Sequence, residues 1–334
     1  MIIALLSLAA CDSESASWSA PEIDAMNAAS VASADEEMES AQPGGVPLEE
    51  PEPELAGEEI EEVPVCAAWD APVRTGALPE GLEEVSGLVA SHQNPGILWA
   101  IEDSGNDPEI YALTTHGTLV GVLHLDGVLN HDWEDLSLAR CGDGACLWVG
   151  DVGDNDLARQ QVSLLTMKEP VFDGEFDGAV QPIVYPFHYG SGPQNVESLV
   201  VTADSTPYVL TKRGDGTSVV YAVDVEAPGR DTEARVVTSL PTSAQGDDGG
   251  PAAIATGAAI WPDESRLMMR TYGHVWSWDL GADGIEGVGG AVRSEVRSVP
   301  EPQGEAIAWD GEAMGYYQTS EGEGAGIWFT GCAE

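Results

Sequence analysis

Three glutamates recur in one local setting: Trp133-Glu134-Asp135-Leu136, Val196-Glu197-Ser198-Leu199 and Gly304-Glu305-Ala306-Ile307. Two further stretches share the pattern with smaller residues at the same place, Ser86 in Val85-Ser-Gly-Leu88 and Ala258 in Gly257-Ala-Ala-Ile260. If the five short runs converge on one axis, three carboxylates meet there. Such groups repel and raise each other's pKa unless a cation sits among them. Oxygen ligands without His or Cys suit Ca²⁺ rather than zinc or copper, with Glu134, Glu197 and Glu305 as anionic ligands and Ser86 and the Ala258 carbonyl as neutral ones.

A second set of polar residues lies at the ends of the strands that follow. Glu102, Asp103 and Asn106 come after the first run, and Asp151, Asp154 and Asn155 after the second. Lys212 and Arg213, Arg270 and Tyr272, and Gln318 and Glu321 close the later ones. In a catalytic reading, Asp103 or Asp151 orients a water as general base, and Lys212 and Arg270 stabilise developing negative charge. In a binding reading the same face holds a structural Ca²⁺, and its loops contact a surface ligand. No Ser-His-Asp arrangement, His-Glu-x-x-His or phosphate-cradling glycine loop occurs, so the binding reading leads.

These residues need a scaffold that repeats. The anchors Ser86, Glu134, Glu197, Ala258 and Glu305 are spaced 48, 63, 61 and 47 residues apart. Ile97-Leu-Trp-Ala-Ile-Glu-Asp answers Cys146-Leu-Trp-Val-Gly-Asp-Val at an offset of 49. Short strands separated by Gly, Asp, Asn and Pro turns fill each period, and no useful helical periodicity follows residue 63. The expected fold is all-β, a single propeller over 63–334 with five four-stranded blades. Six is the alternative if 225–256 hides a degenerate unit.

The last unit holds only three strands, and the stretch 63–75 is an orphan at the other terminus. Lending that N-terminal strand to the last blade closes the ring and removes an exposed edge. Cysteine placement agrees. Cys141 and Cys146 flank a hairpin Gly-Asp-Gly-Ala and should pair locally, leaving Cys66 for Cys332 across the seam.

The anchor order Ser, Glu, Glu, small residue, Glu on five blades resembles the calcium-activated nucleotidase (apyrase) architecture. That resemblance implies a central Ca²⁺ positioning a di- or triphosphate. The run Gln303-Gly-Glu-Ala-Ile-Ala-Trp-Asp-Gly311 with Gln318-Thr-Ser-Glu321 resembles phytase-like and esterase-like bacterial propellers, which implies a phosphohydrolase as the alternative function. Asp132-Trp-Glu-Asp-Leu136 and Gly150-Asp-Val-Gly-Asp-Asn155 are similar to motifs of secreted bacterial propellers.

Charge narrows the partners. The 334 residues carry 12 Lys+Arg against 58 Asp+Glu, a net of −46. Residues 12–62 hold 16 acids and no base, which leaves 42 acids against 12 bases elsewhere. A polyanion without a basic stripe does not bind nucleic acid. The segment 12–62, rich in Ser, Ala, Glu and Pro, reads as a disordered acidic tether. Residues 1–11 are too short an apolar run to span a bilayer but suit a signal-peptide core. Leu8-Ala9-Ala10-Cys11 resembles the bacterial lipobox, implying an exported protein held to the bacterial membrane by lipid on Cys11. Changing Cys11 to Ser is expected to move the protein from the membrane to the soluble exported fraction on fractionation; unchanged membrane association would place the anchor elsewhere.

Overall fold

The computed structural model describes Cys66, residues 68–310 and residues 314–333. Cys11, the leader and the tether 12–62 lie outside the described residues. The described chain is all-β, with helical turns only at Pro251–Ala253 and Gly284–Gly290.

Each period of the sequence becomes an antiparallel meander. The first runs outward from Val85–Ala90 through Ile97–Glu102 and Glu109–Thr114 to Leu119–Leu125. The second is Trp133–Cys141, Gly144–Asp151, Val162–Lys168 and Ile183–Tyr189. The third is Val196–Val201, Pro207–Thr211, Thr217–Ala222 and Thr232–Pro241. The fourth is Ala255–Ile260, Arg266–Thr271, Val275–Asp279 and Val292–Val296. The fifth has three strands of its own, Gly304–Asp310, Gly315–Ser320 and Gly326–Ala333. The first strand of each meander packs beside its counterparts around one axis, which makes the fold a β-propeller.

Closure comes from the N-terminal chain. Val73–Ala77 and Ala68–Trp69 both pair antiparallel with Gly326–Ala333, and the Cys66–Cys332 disulfide fastens the same seam. The single borrowed strand expected from sequence is thus two short pieces with a break at 70–72. The second disulfide links Cys141 to Cys146 across the hairpin of the second unit.

Two connections lie outside the regular pattern. Phe176–Val180 leaves the second unit and pairs in parallel with Leu119–Leu125 of the first. Ile183–Tyr189 pairs in parallel with Thr232–Pro241, which merges the second and third meanders into one eight-stranded sheet. Dividing that sheet at its parallel seam gives five units, called blades one to five below. The stretch 225–256 contributes Thr232–Pro241, the turn at Pro251–Ala253 and the first two residues of Ala255–Ile260, so it hides no further unit.

The core lies between blades, where Trp99, Trp133, Trp278, Tyr316 and Phe187 are fully buried. Neighbouring inner strands approach so closely that a Cβ at Gly87 would stand 2.8 Å from the Leu136 backbone nitrogen. Asp135, fully buried on the inner strand of blade two, bridges three blades. Its Oδ1 accepts from Leu136 N–H (2.8 Å), and its Oδ2 from Leu199 N–H of blade three (2.8 Å) and Ala258 N–H of blade four (3.3 Å). Burial pushes the Asp135 carboxyl well up, and the three N–H donors pull it back.

The two disulfides should differ in weight. By the chain-entropy relation, opening Cys66–Cys332 costs up to about 6 kcal/mol, against about 2 kcal/mol for the short Cys141–Cys146 loop. Denaturant unfolding of Cys332→Ser and Cys146→Ser proteins checks this ranking; equal losses would mean that the seam is held by its strand pairing instead.

Candidate metal centre at the channel mouth

The inner strand of every blade carries a β-bulge one residue after its start, between Val85 and Gly87, Trp133 and Asp135, Val196 and Ser198, Ala255 and Gly257, and Gly304 and Ala306. A bulge leaves one residue outside the ladder and re-aims its side chain. The five bulged residues are Ser86, Glu134, Glu197, Thr256 and Glu305, all buried at the start of the channel. Sequence alignment puts Ala258 at this place in blade four; the register puts Thr256 there instead. Ala258 sits two residues deeper, its N–H spent on Asp135. The run Ala255-Thr-Gly-Ala-Ala-Ile260 has no large side chain to mark its phase, so local pattern alone misassigns it.

Ser86 and Thr256 play one role. The Ser86 hydroxyl donates to the Trp133 carbonyl (3.0 Å) and the Thr256 hydroxyl to the Gly304 carbonyl (2.7 Å), each the residue before the next blade's glutamate. The three glutamates meet different surroundings. Glu197 pairs with Lys212 at 2.6 Å. Burial would lower the lysine's pKa, but the Glu197 carboxylate outweighs it and keeps the ammonium charged. Burial likewise pushes Glu197 up while Lys212 holds it back. Glu305 accepts a hydrogen bond from the Tyr272 hydroxyl (2.8 Å), and the Lys212 ammonium lies 5.8 Å from the centre of that tyrosine ring. Burial raises Glu305, and the Tyr272 bond opposes it.

Glu134 has neither kind of partner. It is 4% exposed and accepts no hydrogen bond among the described residues. Its carboxylate faces Asp103 and Asp132, with one oxygen from each of the three within 4.8 Å of the others. Burial drives the Glu134 pKa well up, and Glu197, Asp103 and Asp132 add to it. Asp132 is raised to about 6 by burial and then by Asp103. Glu321, at the rim, is raised to about 7 by burial, with Glu305 and Asp103 adding.

The backbone holds this cluster in place. Val152 and Gly153 N–H both donate to the Asp132 carbonyl at 3.1 Å. A Cβ at Gly153 would stand 2.0 Å from Glu134 Oε1 and 2.5 Å from Asp132 Oδ2, so no side chain fits there. Asn130 donates to the carbonyls of Glu102 and Asp103 (2.9 and 2.8 Å) and accepts from Trp133 N–H, locking the Asp103 loop to blade two. Glu102, buried, accepts from Glu83 N–H (2.9 Å) and steadies the entry to blade one.

Asp103 and Lys212 therefore face the glutamates, whereas Asp151 and Arg270 are engaged elsewhere. Asp151 pairs with Arg159 (2.7 Å) and His131 (3.2 Å). Arg270, 3% exposed, pairs with Glu301 (2.6 Å) and donates to the Ala306 and Thr319 carbonyls, strapping blade four to blade five. Asn155 accepts from Asn195, Asn106 donates to Glu84, and Arg213 pairs with Asp215. Asp132, which sequence reasoning set in a motif without a role, is the third member of the cluster. Its signal was the spacing Asp132-x-Glu134, which keeps the two carboxylates close along the chain.

No family model matches the sequence, and no curated protein is similar to it. Solved propellers are similar in fold. The PQQ-bound aldose sugar dehydrogenase of Streptomyces coelicolor is 11% identical, with a TM-score of 0.43 over 78% of this chain and 98% of that one. Virginiamycin B lyase of Staphylococcus aureus is 12% identical, with a TM-score of 0.38 over 77% and 69%. The Swd1 β-propeller domain of Myceliophteria thermophila is 12% identical, with a TM-score of 0.41 over 77% and 99%. At these values the likenesses carry no argument about chemistry.

The carboxylate cluster makes stability pH-dependent. Asp132 and Glu321 titrate higher folded than unfolded, so between about pH 4 and 7 the native state binds the more protons and stability falls as pH rises. In chelator, the melting temperature should drop from pH 5 to pH 8, and Asp132→Asn should flatten that drop. A slope untouched by Asp132→Asn would assign it to overall charge repulsion.

Proposed function

We propose that the protein is an extracytoplasmic calcium-binding β-propeller module, held to the bacterial membrane through lipid on Cys11 and presenting its channel mouth to a surface ligand. The observation that carries this reading is Glu134, a buried carboxylate with no donor of its own, set within 4.8 Å of two further carboxylates. Burying a charge without a partner is costly, and a cation offsets that cost. The donor set is oxygen only, which suits Ca²⁺, and Mg²⁺ demands a tighter octahedron than three chain-separated carboxylates offer. Asp103, Asp132 and Glu134 would hold the ion. Glu197 and Glu305, already balanced by Lys212 and Tyr272, would shape the field beside it. The two disulfides agree with an oxidising compartment. No helix among the described residues is long and apolar enough to cross a membrane.

Lys212 supports a second reading, a calcium-dependent phosphohydrolase, because its side chain, 21% exposed, brings an ammonium to the same mouth as the carboxylate cluster. In that chemistry the ion would act as Lewis acid on a phosphate oxygen, with Asp103 as base and Lys212 balancing charge. The burial of Arg270 and the Arg159 pairing of Asp151 leave this reading with half of its expected residues, and the binding reading is preferred.

Calcium should raise the melting temperature, by an amount equivalent to about 2.7 kcal/mol at a hundredfold excess over Kd. Glu134→Gln and Asp132→Asn should abolish the response, and Mg²⁺ should replace Ca²⁺ poorly. A melting temperature indifferent to Ca²⁺ and chelator would refute the metal centre. If Ca²⁺ binds, phosphate release from nucleoside diphosphates, phytate or aryl phosphodiesters that is lost in Glu134→Gln would select the hydrolase. Silence across those substrates would select the binding module.

A further inference from the structure

The other end of the channel is chemically unlike the mouth. The inner strands end around a cavity of about 540 Å³, walled by apolar side chains that include Leu138, Ile260, Trp261 and Trp309. This volume is within the range of small-molecule sites. Trp261 and Trp309 lie against each other with ring centres 3.5 Å apart. The Arg266 guanidinium stands 5.1 Å from the Trp261 ring and is pinned by Asp279 at 2.9 Å, so the aromatic wall is braced from behind.

Two donors at this cavity lack acceptors. The Trp309 indole Nε1 is buried without a hydrogen-bond partner, although a buried indole N–H ordinarily has one. Arg140, exposed at the cavity's edge, pairs through its guanidinium with no carboxylate among the described residues. The acids nearby are already engaged. Asp143 lies 3.6 Å from Lys168, Glu264 accepts from Ala203 N–H, and Asp310 is hydrogen-bonded with Tyr317. Free donors and occupied acceptors call for a ligand that accepts. One cation among acids favours a monoanion over a phosphate dianion.

We propose that this cavity is a second binding site, for a small molecule with a flat apolar body and a single carboxylate. The body lies on the Trp261–Trp309 wall, the carboxylate meets Arg140, and an acceptor oxygen on the body meets Trp309 Nε1. The site is independent of the cation at the mouth.

The probe is 6-hydroxy-2-naphthoate, with 2-naphthol as the analogue lacking the carboxylate, followed by calorimetry on the whole protein in chelator at about 0.15 M salt to screen the protein's overall charge. The naphthoate should bind with Kd below about 1 mM. Arg140→Gln should weaken it about tenfold, because a charge-assisted pair is lost, while leaving the weaker naphthol unchanged. Trp309→Phe, which keeps a smaller aromatic ring but loses the N–H, should weaken both ligands. Glu134→Gln should leave both unchanged, which separates this site from the mouth. Absence of naphthoate binding, equal affinity in Arg140→Gln, or loss of binding in Glu134→Gln would each overturn the proposal. Circular dichroism of the exposed Arg140→Gln variant guards against unfolding as the cause.

Discussion

Five sheet edges face one axis, and the backbone of each edge must be satisfied there or pay for desolvation. The inner strands come so close at Gly87 and Gly257 that no side chain fits there, yet they do not ladder with one another. Asp135 answers part of this demand from a single position, accepting from N–H groups of blades two, three and four. Ser137, two residues along, accepts from Val201 N–H at 3.0 Å and repeats the device one step deeper. Blade two thus serves as the acceptor for its neighbours. The bulge preceding Asp135 turns Glu134 out of the ladder at the channel mouth. The geometry of the mouth follows from how the edges are satisfied below it.

Above that level the fivefold pattern breaks down, and its breakdown is what distinguishes the site. Three glutamates at equivalent bulges meet three environments. The second strand of blade three ends at Lys212, that of blade four at Tyr272, and the loop of blade one brings Asp103. On one side of the mouth the glutamates therefore have a cation and a hydrogen-bond donor, and the other side accumulates like charge. Gly153 lets that accumulation occur, since any side chain there would separate Glu134 from Asp132. A protein of net charge −46 has many exposed acids, but few of them are buried and without donors.

The two ends of the channel follow from the direction of the inner strands. Each starts with a bulge and a polar residue, and its far half places apolar side chains such as Leu138, Val201, Ile260 and Trp309 at the other end. The Cys66–Cys332 link and the parallel Phe176–Val180 strap hold the ring closed and its first two blades together, so neither face depends on its loops alone.

The repeat, the strand-lending closure and both disulfide pairings were legible in the sequence, because they rest on period and on the chain's two unmatched ends. So were Glu134, Glu197 and Glu305, which carry a distinctive residue in a shared apolar frame. Other features were decided only by tertiary structure. Thr256 rather than Ala258 occupies the blade-four position because the bulge falls between Ala255 and Gly257, two residues before the place that local pattern suggests, and a run of small residues does not reveal a bulge. Asp132 joins the cluster because the Val152–Gly153 backbone fastens it there. Asp151 and Arg270 turn away because Arg159, in the loop that follows Asp151, and Glu301, in the connection to blade five, engage them. Periodicity is a property of neighbours along the chain and can be read from it; which charge finds which partner depends on how the turns at the mouth fold, which bring Asp151 to Arg159 and Glu197 to Lys212 within a blade and Arg270 to Glu301 ahead of blade five.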